Sequence, residues 1–108
     1  MRTPTNPTYY WGNCLLAGVR WVHAEAGGRP LTLAGWPTHL VAADATRVAG
    51  LRVVAPEAAA FDRLLVLARG TREEILALDR RPDLLHRITT ADGALLCAVL
   101  SGRATTPP

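Results

Sequence analysis

The sequence predicts an α+β domain, with an N-terminal helix packed on a small, mainly antiparallel sheet and one or two further helices. Three observations carry this reading. An apolar stripe at helical spacing lies between a capping asparagine and a glycine pair, in "NCLLAGVRWVHAEAGG". Two stretches rich in Val and Leu, each broken by turn residues, have the composition of hairpins. A Thr-x-x-Glu capping box stands between them. Helix, strands, helix, strands is an α+β order.

The elements follow in sequence. Residues 1–8, "MRTPTNPT", are rich in Pro and Thr and read as an extended arm before a single domain over 9–101. Asn13 is a good helix N-cap, and Gly27-Gly28 a good stop. Leu15, Leu16, Val19, Val22 and Ala26 share one face of that helix, and Cys14 takes its first position. Trp21 lies two turns further on, on the same side. Next, "THLVAA" and "RVAGLRVVA" read as a hairpin turning at "DAT", with His39 near the start of its first strand. "GWPT" before it is a loop. Residues 56–69 are open to two readings: Pro56-Glu57 suits a helix start, and "RLLVLA" suits a buried strand. Thr71 to Glu74 opens a helix through about Arg80, which Pro82 ends. "LLHRITT" and "ALLCAVLS" form a terminal hairpin turning near Asp92-Gly93, with Cys97 inside its last strand. Residues 102–108 read as a flexible tail.

The composition narrows the function classes. The chain has 108 residues, 49% of them apolar, which suits one folded domain with a modest core. No apolar run approaches the roughly 20 residues that span a bilayer, and "MRTPTNPT" lacks the apolar core of a secretory signal. The expectation is a cytoplasmic protein without membrane contact, in a host cytosol or a virion if phage-encoded. All 12 basic residues are Arg, the net charge is +3, and Arg alternates with Asp and Glu along the chain. Nucleic-acid binders usually gather their charge on one face or tail, so this pattern argues against a nucleic-acid partner. The two cysteines belong to no CxxC or Cys/His cluster, so neither a metal site nor a cofactor is expected, and both are read as free thiols.

One pair of residues carries candidate chemistry. A thiol at a helix N-terminus meets the positive end of the macrodipole, which favours the thiolate nucleophile. That nucleophile needs a base. His23 lies about two and a half turns along the same helix, on the far side. His39, on the strand after the helix, is the better partner for Cys14. Trp11 and Trp36 flank the pair, and with Tyr10 and Asn13 they are the candidate binding residues. Cys97, in an apolar strand, is read as core.

A helix-start cysteine followed by a strand-start histidine resembles the NlpC-type permuted papain-like hydrolases. The resemblance covers about residues 9–55. It implies Cys14 as nucleophile, His39 as base, and Tyr9 or Tyr10 beside the oxyanion site. The pattern "GNC", "GG", "GWPTH" also resembles small proteins of phages and prophages of GC-rich bacteria. The sequence departs from the hydrolase motif at "GNCLL", where the family has Asp-Cys-Ser/Gly. It also places Leu51 or Arg52, neither of them an acceptor for imidazole, opposite His39.

Three functions are therefore carried forward. The first is a small phage- or prophage-type accessory protein that binds another protein or a peptide, since Arg, Trp and Tyr are enriched at interfaces. The second is a minimal thiol amidase or peptidase with a Cys14–His39 dyad, which leaves the chain's status as an enzyme open. The third is a nucleic-acid accessory protein that sets Arg against phosphates.

Overall fold

A computed structural model describes residues 7–48, 50–58 and 60–103, with side chains over Cys14–Gly102 apart from Ala49 and Ala59. The described residues hold three helices and a five-stranded mixed sheet. The α+β class is thus as predicted. The elements run α1 (Pro7–Ala26), β1 (Leu31–Trp36), α2 (Thr38–Ala45), β2 (Leu51–Val54), β3 (Phe61–Leu67), α3 (Arg72–Asp79), β4 (Leu84–Thr89) and β5 (Leu95–Arg103). The sheet order is β2-β1-β3-β5-β4.

The sheet is mixed, with two parallel pairings beside its antiparallel ones. β1 lies parallel to β2 on one side and to β3 on the other, while β5 pairs antiparallel with both β3 and β4. The difference comes from one segment. "THLVAADA" forms α2 rather than a strand. Parallel neighbours cannot be joined by a tight turn and need a crossover, and α2 is the crossover from β1 to β2. Val41 and Ala45, four residues apart, are its buried positions, and Ala supplies helix propensity along the segment. His39 therefore sits on a helix, not at a strand start.

α1 also begins earlier than the capping asparagine suggested. It spans 20 residues from Pro7, so Asn13 lies inside the helix and is not its N-cap. Residues 7 and 8 belong to the helix rather than to an arm; residues 1–6 lie outside the described part. The helix stops where predicted, at Gly27 and Gly28, with φ of 62° and 89° that only glycine adopts readily. The ambiguous segment resolves as strand β3, and Pro56-Glu57 lie in a turn. The capping box and the terminal hairpin form as read: Thr71 Oγ1 accepts from the Glu74 N–H, and the Glu74 carboxylate accepts from the Thr71 N–H. β5 continues to Arg103, so residues 102 and 103 of the predicted tail belong to a strand, and the rest of that tail lies outside the described residues.

The core lies between α1, α2 and one face of the sheet. Cys14, Leu15, Val19 and Val22 of α1 meet Leu33, Leu65, Leu67, Cys97 and Val99 of the strands, with Val41 and Ala45 of α2. Two glycines permit the close approach. A Cβ on Gly18 would come within 2.5 Å of Leu65 Cδ1, and one on Gly35 within 2.6 Å of Val41 Cβ. α3 packs on the opposite face. Arg87 of β4 stands across from Ala98, whose side chain points away from that of Cys97, and Arg87 holds Asp79 of α3.

Candidate functional site

Cys14 and Cys97 are joined by a disulfide, with their Cα atoms 5.8 Å apart. This corrects the expectation of free thiols. Both side chains are buried, at 1% and 0% exposure. The bond closes a separation of 83 residues and fastens α1 to β5 across the core. The sequence hid the pairing because each cysteine sits among apolar residues and reads as packing by itself.

The Cys14–His39 dyad is corrected with it. Cys14 lies in the interior of α1, seven residues after Pro7, so the helix N-terminus does not act on it. Its sulfur is bonded to another sulfur and cannot attack a carbonyl. His39 stands exposed on the first turn of α2. The pair therefore lacks the free, accessible nucleophile that thiol hydrolysis needs.

The other predicted binding residues separate by position. Tyr10, Trp11 and Asn13 lie in the first two turns of α1, and their side chains are outside the described part. Trp36 ends β1 and is 44% exposed. Its peptide bond to Pro37 is cis, and Pro37 is the N-cap residue of α2. Thr38 Oγ1 donates 2.7 Å to the Gly35 carbonyl, tying the helix start back to the strand. Leu40, four residues beyond Trp36, is 42% exposed. Of the four exposed large apolar side chains among the described residues, two are therefore at this junction.

The topology gives the junction further meaning. Neighbouring parallel strands β1 and β3 send their connections to opposite faces: α2 lies on the α1 side, and α3 on the other. Open α/β sheets place binding sites at the carboxyl ends of such strands. Here that place holds Trp36, His39 and Leu40. Burial pushes the Asp44 carboxyl on α2 upward, and Arg47 partly offsets this.

The opposite end of the sheet is polar and internally satisfied. A cleft of about 150 Å3 lies among Glu25, Arg29, Asp62 and Arg63. Arg63 Nε and Nη2 donate to the two oxygens of Glu25 at 2.8 and 3.2 Å, which holds the guanidinium pKa above its usual value. Asp62 accepts from the Thr32 N–H at 2.8 Å, and Arg29 Nε donates to the Ala26 carbonyl. Each charged group has a partner within the protein, so the cleft presents none of them unbonded to a ligand.

Among the described residues no three His, Cys, Asp or Glu side chains gather as a metal site, and no helix is long and apolar enough to cross a membrane. Sequence reasoning also missed the stack of His86 on Trp21, whose rings are parallel within 5° at 4.6 Å between centroids. The two residues are distant in sequence, and only the pairing of β4 beside α1 brings them together.

No protein-family model matches the chain, and neither a curated protein nor a solved structure is similar to it at a significant level. The hydrolase and phage resemblances thus rest on the short motifs alone.

Proposed function

We propose that the protein acts by binding another protein, as a small accessory module of the phage or prophage kind its motifs resemble, through the β1–α2 junction. The observation that supports this is the exposure of Trp36, at the carboxyl end of β1, and of Leu40, in the first turn of α2. Tryptophan is the residue most enriched among interface hot spots, because a large rigid ring gains much contact at small entropic cost. An adjoining aliphatic side chain widens the apolar patch, and the exposed His39 gives it a polar rim. The buried crosslink and the packed α1–sheet core hold the junction rigid, which lowers the ordering cost of association.

The test compares wild-type protein with the Trp36→Ala/Leu40→Glu double variant as bait in a lysate of the source organism, with quantitative mass spectrometry. Circular dichroism and thermal melting confirm that both baits are folded. The expected result is a discrete protein enriched by the wild type and depleted at least tenfold with the variant. Equal capture by both baits rejects the junction as the surface. No enrichment over a blank matrix rejects the binding role.

A further inference from the structure

The other face of the sheet carries a groove that the junction does not explain. α3 has no buried residue, although it lies against β4 and β5. Arg72, Ile75, Leu76 and Asp79 fall at i, i+3, i+4 and i+7, one stripe of the helix. A groove of about 450 Å3 separates that stripe from Ala94 and Leu95 at the start of β5. Ile75, Ala94 and Leu95 give it an apolar wall, and Leu76 leaves 39% of its surface in water. An exposed apolar patch beside such a groove marks an interaction surface.

The charges at its two ends differ. Arg87 donates to both Asp79 oxygens, at 2.6 and 2.9 Å, so the carboxylate at one end is already neutralised. Arg72, at the other end, is exposed, and no ion pair or hydrogen bond engages its guanidinium among the described residues. The neighbouring Glu74 is bonded to Thr71 in the capping box and cannot serve it well. Glu73 is off the stripe, one residue along the helix. The groove thus offers apolar space and, among the described residues, one guanidinium that no carboxylate engages.

We propose that this groove docks a segment of a partner protein that places an aliphatic side chain against Ile75, Leu76 and Leu95 and a carboxylate on the Arg72 guanidinium. The groove is a second docking surface, separate from the β1–α2 junction, and it shares with the junction reading only the class of partner. The guanidinium fork donates two parallel hydrogen bonds to a carboxylate, which fixes the register of the segment as well as its charge. The aliphatic anchor supplies the apolar contact, and it is the kind of side chain that fits between helix and strand.

The test is a phage-displayed library of random dodecapeptides selected on the full chain, with selected peptides synthesised and titrated. The groove variants are Arg72→Glu and Leu76→Asp, and the junction variant is Trp36→Ala/Leu40→Glu. Both groove residues are exposed, and an acid in the first turn of a helix suits its dipole, so Arg72→Glu should fold. The expected result is enrichment of peptides with Leu, Ile or Val followed within a turn by Asp or Glu. Their affinity should fall at least tenfold in each groove variant and stay unchanged in the junction variant. Peptides that lose affinity only in the junction variant overturn the groove and leave the binding role standing. Binders without acidic residues overturn the role of Arg72. A library that yields no binder tighter than about 100 μM on any surface overturns the proposal. Concentration-dependent sedimentation abolished by Arg72→Glu would show a second copy in the groove, and would also overturn it.

Discussion

Single residues decide whether this chain has a reactive thiol or a crosslinked core. Cys14 is chemically ambiguous in isolation, since a small apolar thiol and a half-cystine fit the same sequence neighbourhood. Its partner, Cys97, decides between them. Gly35 shows the same dependence on context. Its missing side chain is what lets Val41 of α2 lie against β1, and the β-branched Val41 cannot swing aside. Gly35→Ala is therefore expected to cost about 2 kcal/mol through overpacking, read as a lowered midpoint in urea. An unchanged midpoint would mean that α2 sits further from β1. Trp21 and His86 make the third case. Their stack shields the β4 side of the core, so Trp21→Ala should lower stability by about 2 kcal/mol. Trp21 emission should also rise in His86→Ala, because the imidazole no longer lies on the indole face.

The elements show which patterns could be read directly from the sequence. α3 and the terminal hairpin were legible because their signals are local: a capping box for one, a glycine turn between apolar runs for the other. Removing the cap in Thr71→Ala should cost about 1 kcal/mol, and helical signal from α3 should fall with it. The capping box also depresses the Glu74 carboxyl through its bonds to Thr71. A depressed carboxyl adds stability above its ordinary range and loses it as pH falls through the folded value. Asp83, lowered by Arg81, and Asp92, lowered by Thr90, act in the same direction. Asp44, raised by burial, acts in the opposite direction and relieves part of its cost as pH falls. Denaturant midpoints should therefore drop below the usual carboxylate range, and Thr71→Ala should flatten that drop. α2 was not legible because "THLVAA" has the Val and Leu content of a strand, and its helical state is imposed by the parallel pairing of β1 with β2. The start of α1 was missed for a related reason: Asn13 has the chemistry of a cap but lies within a longer helix.

At the scale of the whole molecule, the three helices and five strands of the described residues are held by a core on one face of the sheet and a crosslink from α1 to β5. Closing a loop of this length removes unfolded-state entropy worth about 4.5 kcal/mol. That is a large part of the 5–15 kcal/mol typical of a domain. Reduction with dithiothreitol after transient opening, or Cys14→Ala/Cys97→Ala, should lower the melting temperature sharply. The candidate site was half legible. Trp36 was singled out and is exposed at a sheet end where open α/β sheets bind their ligands. The dyad was misread because spacing along a chain does not reveal which sulfur meets which partner. The α3 groove gave no sequence signal beyond an amphipathic stripe, since its other wall comes from β5. The central claim is that Cys14 is a structural half-cystine and not a thiolate nucleophile. Iodoacetamide labelling of the native, unreduced protein, followed by non-reducing peptide mass spectrometry, tests this most directly. The account predicts no adduct on either cysteine and a Cys14–Cys97 linked peptide. An adduct on Cys14 that forms in the native protein and disappears in His39→Ala would contradict it and restore the nucleophile.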